Sequence, residues 1–340
     1  MIKLNDFDLN KTIRVSHTDA DGTVPFILDK FFNITFAKSI STNYGENLEL
    51  ESIQSGLYDN IIYTDFTPSE NIRKAITEKQ MNVIVFDHHI AVKDEMETFV
   101  KEYGSDKIVY VFDNDRCGTK IYYDYLMDNG YKDKTNSVVE YIVNLIDVYD
   151  LYKVKDPLFK EAEKCNRLLY STCAWYILKT EPTNRIEAYK FFINSMLWKM
   201  QNADNFFFNK IEIEKINKDI KKENDIFNEL IANASTEIST RKDSEGKYFA
   251  VFNCNSKISA VAHKLMEKYK KLDYCVIINQ YDENEPKISL RSRDDFDLLR
   301  LNHTKGHKLA CGIDADDVKD MKEFVKLLKN KTIYELGYKD

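Results

Sequence analysis

The stretch "TIRVSHTDADG", residues 12–22, decides how the chain is read. Its first half is a short apolar run of the kind that forms a buried strand. Its second half sets His17, Asp19 and Asp21 at alternate positions. In extended chain all three would point the same way. Two carboxylates and an imidazole on one side are unfavourable unless a cation neutralises them. Oxygen and imidazole donors suit manganese, magnesium or zinc. Gly22 adds a point where a tight turn can bring backbone close to a ligand. Alone, H-x-D-x-D is a weak signal, because such residues in a polar loop are commonly just solvated.

Two further runs repeat the pattern. "NIIYTD" ends at Asp65 and "MNVIVFDHH" ends at His89. Helical signals lie between them. Pro25 opens "PFILDKFF" as a first helical position. "TPSENIRKAITEKQ" carries Thr67, Pro68 and, three residues after Thr67, Glu70, the pattern of a capping box. Strand alternating with helix predicts an α/β layer with a mainly parallel sheet. Ligands of such sheets bind beyond the carboxyl ends of the strands. Asp65 would then lie beside Asp19 and Asp21, with Asp87, His88 and His89 ending the third strand. The chain has six histidines, and three of them fall in these neighbouring positions.

Beyond residue 118 the reading turns helical. "KIYYDYLMDNGY" and "NSVVEYIVNLIDVYDLY" are helices, and residues 156–240 have few Gly or Pro. "NKIEIEKINKDIKKENDIFNELI" reads as a long connecting helix packed on one face, without a catalytic role. A second unit starts near residue 245. "YFAVFNC", "DYCVIIN" and "PKISLRSR" read as strands and "SAVAHKLMEKYKK" as a helix. "LACGIDADDVKDMKEFVKLLKN" closes the chain with a turn and a helix.

Composition sets limits. The 340 residues carry 43% hydrophobic and 31% charged residues, ordinary for a globular protein long enough for two domains. A net charge of -7 supplies no global basic field for a long nucleic acid, so a nucleic-acid substrate would be short or held locally. Six cysteines without a C-x-x-C pair read as reduced thiols of a cytoplasmic protein. No signal peptide and no membrane span are expected.

"SHTDADG", "YTDF" and "FDHH", in this order and spacing, resemble the DHH phosphoesterase superfamily. "DNDRCGT" at 113–119 and "LIDVYDLY" at 145–152 resemble later blocks of its nanoRNase B-like, cyclic-nucleotide-phosphodiesterase-like branch. A calcium-loop reading of "DNDRCGT" fails, because Cys117 falls where an oxygen ligand is needed. The resemblance implies a two-metal site, usually manganese, with magnesium as the alternative. His17, Asp19 and a bridging Asp65 would hold one ion. Asp21, Asp65, His88 and a fourth-motif carboxylate would hold the other. That carboxylate is Asp150 or, three residues earlier on the same helical face, Asp147. Asp87 would orient His88 from outside the ligand set. His89 would touch the phosphate or the leaving oxygen.

In the second unit, Arg291 and Arg293 are two apart in a strand and share a side. Lys305, Gly306, His307 and Lys308 follow. They resemble the DHH-associated C-terminal domain, whose G-G-G-H loop and preceding Arg bind substrate. Of that loop only Gly306 before His307 is kept. His263 reads as structural, and His303 is left undecided.

The expected architecture is a parallel-sheet α/β DHH domain over residues 1–152, a helical connector over 153–244 and a smaller α/β substrate-binding domain over 245–340. The expected function is hydrolysis of phosphodiester bonds in short oligonucleotides or small nucleotides by a two-metal activated hydroxide. The substrate would lie in the interdomain cleft, and the resemblance allows a homodimer. Alternatives are a RecJ-type single-strand exonuclease, a phosphatase of bisphosphorylated nucleotides, an inorganic pyrophosphatase, or a nucleotide-binding regulator that has lost turnover.

Overall fold

A computed structural model describes residues 3–237, 239–242, 247–254, 257–279, 287–293, 297–298, 304–307 and 309–313. Two compact units divide the chain, residues 1–218 and 219–340. The boundary at 218/219 falls inside the stretch expected as a connector, 153–244.

The first unit is built on five parallel strands. They are β1 (Thr12–Ser16), β2 (Lys38–Ser41), β3 (Asn60–Thr64), β4 (Asn82–Asp87) and β5 (Ile108–Phe112), in spatial order β2-β1-β3-β4-β5. The helices are α1 (Ala20–Phe31), α2 (Leu50–Ser55), α3 (Glu70–Lys79), α4 (Ile90–Tyr103), α5 (Gly118–Leu126) and α6 (Ser137–Asp150). The three runs ending in Asp or His are β1, β3 and β4, side by side. The short β2 and the apolar "IVYVF" of β5 extend the sheet on either side. Strands covered on both faces read as continuous apolar runs rather than alternating ones. Ile13, Val15, Ile61, Tyr63, Val83 and Val85 pack with Ile72, Ile76, Met96 and Phe99 of α3 and α4. The opposite face carries α1, α5 and α6.

Strand order reverses between β1 and β3. In open α/β sheets of this order, that switch point is where a crevice opens outside the carboxyl ends. The H-x-D-x-D segment and Asp65 leave the sheet there.

Two helix starts differ from the sequence reading. Helix α1 begins at Ala20, capped by the Asp19 carboxylate, so Pro25 lies inside the helix. An internal proline removes the N–H that would bond the carbonyl four residues back. That carbonyl is Asp21 O, and it accepts the Thr119 hydroxyl instead, at 2.6 Å. Helix α3 begins after Ser69, whose hydroxyl accepts from Ile72 N, so Thr67 and Pro68 belong to the lead-in.

A buried polar cluster under the sheet was invisible in the sequence. Arg14 of β1 donates to Asp29 of α1 at 3.1 Å, and the Tyr122 hydroxyl of α5 donates to the same carboxylate at 2.6 Å. The guanidinium also sits over the Tyr122 ring, 4.8 Å from its centroid. The cluster ties a strand to two helices of that face, α1 and α5.

The remaining helices of the unit are α7 (Phe159–Thr172), α8 (Trp175–Thr180), α9 (Arg185–Ala188), α10 (Lys190–Asn202) and the start of α11 (Lys210–Glu237). Helix α7 packs on α6, and α10 packs on α1, α6 and α7. The beginning of α11, expected to pack on one face, is fixed there by a buried Lys199–Glu212 pair at 2.6 Å.

The second unit holds β6 (Ser239–Lys242), β7 (Tyr248–Asn253), α12 (Ile258–Lys268), β8 (Tyr274–Asn279), β9 (Lys287–Ser292), β10 (Thr304–His307) and β11 (Ala310–Ile313). Its sheet runs β10-β11-β9-β8-β7-β6, with β7 and β8 parallel and the other pairs antiparallel. Lys305, Gly306 and His307 lie in strand β10, with Gly306 opposite Cys311, and not in an open loop. Lys308, His303 and the expected closing helix after Ile313 lie outside the described residues.

Candidate metal centre

The centre is assembled at the carboxyl ends of β1, β3 and β4 and closed by α5 and α6. The β1 segment turns sharply after His17. A Cβ on Gly22 would come within 2.2 Å of His17 O, so only glycine allows this fold-back. Asp19 caps α1 by accepting Gly22 N at 2.9 Å through Oδ1, while its Oδ2 lies 2.9 Å from His17 Nδ1. Asp21, in the first turn of α1, is gripped by the start of α5. It accepts Gly118 N through Oδ2 and Thr119 N through Oδ1, each at 2.7 Å.

Asp65 leaves β3 in the left-handed region, with φ +52. Asp tolerates that conformation better than most residues. Its N–H donates to Phe86 O of β4 at 2.9 Å, and the turn aims its carboxylate into the centre. Oδ2 lies 3.7 Å from His17 Nδ1, and Oδ1 lies 3.2 Å from His88 Nε2. His88 Nε2 is also 3.6 Å from Asp21 Oδ2 and 3.4 Å from Asp150 Oδ2.

Among the described residues, three trios of donor atoms each fall within 4.8 Å: His17, Asp19 and Asp65; Asp21, His88 and Asp150; and Asp65, His88 and His89. Asp65 and His88 are each shared between two trios. The Asp65 and Asp150 carboxylates each bury an Oδ2 that receives no hydrogen bond. Burial, then the charges of Asp19, Asp21 and Asp150, push the Asp65 carboxyl well above its ordinary range. Burial and Asp21 do the same to Asp150. Burial opposes ionisation of Asp19 as well, but His17 and the Gly22 hydrogen bond hold it below its ordinary range. His17 answers with a raised affinity for its proton, against its own burial. Crowded, unsatisfied carboxylates with imidazoles between them fit divalent cations.

The two fourth-motif carboxylates have different surroundings. Asp147 is engaged elsewhere: Oδ1 accepts Cys117 N at 2.9 Å and Oδ2 accepts Lys153 Nζ at 2.6 Å. Asp150 faces His88 and Asp21. The role expected for Asp87 also shifts. Its carboxylate pairs with His89: Oδ1 lies 2.8 Å from His89 Nδ1, and Oδ2 accepts His89 N at 3.2 Å. Burial opposes the Asp87 charge, and His89 beside it still lowers its pKa.

Three features escaped the sequence reading. Gly118 is one: a Cβ there would sit 2.8 Å from the N, Cα and Cβ of Asp65. Its place in "CGT" was the available signal. Phe66 and Tyr44 are the others, rings beside His17 and His89.

In the second unit, Arg291 donates to Ser259 Oγ from Nε at 3.1 Å and from a terminal nitrogen at 2.8 Å. Arg293 is committed to main chain in the last turn of α12 and just beyond it. It donates to Leu272 O at 2.5 Å, to Tyr269 O at 3.4 Å and to Met266 O.

No family profile matches the chain. It is 21% identical to the 3',5'-cyclic-nucleotide phosphodiesterase of Helicobacter pylori, covering 93% of this chain and 98% of that one. It is 22% identical to the oligoribonuclease NrnB of Bacillus subtilis, over 89% of this chain and 72% of that one. Among solved structures, the DHH domain of a member of a ribosomal-protein family superposes with a TM-score of 0.63 at 13% identity, covering 94% of this chain and 87% of that one. The fold is thus that of a DHH-domain protein, and the resemblance to the nanoRNase-like branch of that superfamily is borne out. No helix among the described residues is long and apolar enough to cross a membrane.

Proposed function

We propose that the chain is a divalent-cation-dependent phosphodiesterase that hydrolyses short oligonucleotides or small nucleotides. The observation that carries this is the pair of donor trios, His17–Asp19–Asp65 and Asp21–His88–Asp150, brought together by Asp65 at 3.7 Å from His17 and 3.2 Å from His88. His17, Asp19 and Asp65 would hold one cation; Asp21, Asp65, His88 and Asp150 would hold the other. When bound, such a pair supplies charge for the phosphoryl oxygens and lowers the pKa of water toward neutrality. Manganese is the metal of choice, with magnesium second. Asp87 fixes the tautomer and direction of His89, which then offers a hydrogen bond to the phosphate or the leaving oxygen. Asp147, held by Cys117 and Lys153, braces the start of α5 against α6 rather than binding a cation.

Substrate would also be gripped by Arg291, Lys305, Gly306, His307 and Lys308 of the second unit. Arg293 is the weakest member of that set, since its guanidinium is taken by carbonyls. Both curated relatives carry names of phosphoric-ester hydrolases, which supports the reaction class and leaves two substrate arms, cyclic nucleotides and short RNA. All six cysteines are free thiols, in keeping with a reducing, cytoplasmic compartment.

The test is a substrate panel with the manganese-loaded protein: a labelled dinucleotide, cyclic nucleotides, a long single strand, an adenosine bisphosphate and pyrophosphate. Turnover concentrated on the dinucleotide or a cyclic nucleotide is expected. Processive digestion of the long strand would make it an exonuclease of the RecJ type. Tight binding without turnover of any substrate would refute the enzymatic reading.

A further inference from the structure

Tyr44 is a large aromatic residue left 47% exposed beside a charged centre. Its ring centroid lies 4.6 Å from that of Phe66, 5.7 Å from that of His17 and 6.0 Å from that of His89. Phe66 is buried and stacks on His17, with the planes 11° apart and the centroids 6.3 Å apart. The result is a small aromatic wall that runs from the end of the first donor trio to the residue proposed to touch the leaving oxygen.

The loop that carries Tyr44 is built to hold it. Thr42 N continues the ladder by donating to Ser16 O at 3.0 Å. The Thr18 hydroxyl, inside the H-x-D-x-D segment, donates to Asn43 Oδ1 at 2.5 Å. Gly45 takes φ +88, which turns the chain back. Glu46 then accepts Asn43 N at 2.8 Å and is clamped by the buried Arg185 guanidinium, with one contact at 2.8 Å. A buried arginine and a hydrogen bond from the metal-ligand loop therefore fix a loop whose tip is an exposed phenol ring. Rigid rings of this kind give contact area at low conformational cost.

We propose that Tyr44 is a stacking platform for the nucleobase next to the scissile phosphate, and that it selects base-bearing phosphodiesters over base-free ones. This rests on the phosphodiesterase reading above. Every base has a π-face, so a platform accepts all four bases while rejecting esters without one.

Two substrates separate the roles: a dinucleotide, and the same sugar–phosphate backbone with the base next to the scissile phosphate removed. The wild-type protein prefers the dinucleotide. In Tyr44→Ala, KM for the dinucleotide rises relative to that for the abasic ester by about 5- to 150-fold, the range of one base–aromatic stack. Tyr44→Phe and Tyr44→Trp keep the wild-type ratio. An unchanged ratio in Tyr44→Ala overturns the proposal. So does an equal loss on both substrates, which would mean that the ring only braces His17 and His89. If the wild-type protein turns over neither ester, the phosphodiesterase reading fails, and equilibrium binding of the same two compounds to wild type and Tyr44→Ala still decides whether the ring selects a base.

Discussion

Asp150 and Asp147 are three residues apart on one helix, and their side chains meet opposite fates. Spacing could not separate them, because i and i+3 share a helical face. What separates them is the loop before α5 and the turn after α6. Cys117 N and Lys153 Nζ reach Asp147, while Asp150 projects towards His88. Asp150→Asn should lower manganese occupancy from two ions to one and cut turnover by more than about 100-fold. Asp147→Asn should keep both ions and lose about 10-fold, the size expected when a bracing partner rather than a ligand is removed. Calorimetric titration with manganese and initial rates read the two effects, and the reverse order would exchange their roles. The other ligand candidates were legible as residue types because each ends an apolar run: His17 to Asp21 after β1, Asp65 after β3, His88 after β4. The partner of Asp87 was not legible. Adjacent histidines both lie within reach of it, and only the backbone turn before α4 gives it His89.

At the scale of elements, the parallel layer could be read because its buried strands are unbroken apolar runs. The boundaries shifted where side chains replaced backbone partners. Pro25 looks like a helix start, yet the Thr119 hydroxyl serves the carbonyl that Pro25 leaves without a donor, so α1 continues through it. The Arg14–Asp29–Tyr122 cluster could not be foreseen, since Tyr122 joins it from 93 residues beyond Asp29. The same limit hid the packing of α5 against β3. Gly118→Ala tests that packing. The new methyl would meet Asp65 main chain at 2.8 Å, where nothing flexible can yield. The expected result is a stability loss of about 1–3 kcal/mol in denaturant melts, together with weakened manganese binding as Asp65 is displaced. Full manganese affinity in the variant would show that the turn after β3 can move without cost.

For the whole molecule, the carboxylate cluster sets how stability responds to pH before any cation is added. Asp65 and Asp150 have raised pKa values in the fold, so the folded chain keeps protons that the unfolded chain releases above about pH 4. Stability therefore falls as pH rises. His17 adds to this: its stabilising contact with Asp19 is complete below its ordinary pKa of about 6.5 and is lost as pH climbs through the raised value. Asp19 and Asp87 carry the opposite sign, but their contributions are lost only as pH falls below about 4. Buried Asp29 and Glu49 also have raised values, which no cation at the centre relieves. Chelator-treated protein should thus melt at a lower temperature at about pH 8 than at about pH 5, and manganese should remove most of that difference. Melting curves with and without the metal check this; a slope that manganese leaves unchanged would assign it to Asp29 and Glu49 instead.

The grip of α5 on Asp21 also sets a timetable. Its three hydrogen bonds join residues 97 or 98 positions apart. A nascent chain that has passed β4 already carries His17, Asp19, Asp21, Asp65 and His88, but the residues of α5 that grip Asp21 are not yet made. Asp150 emerges only with the last residue of α6. On the proposed ligand assignment, full cation capture waits until that helix has left the ribosome, so the unfinished protein is made without its hydrolytic centre.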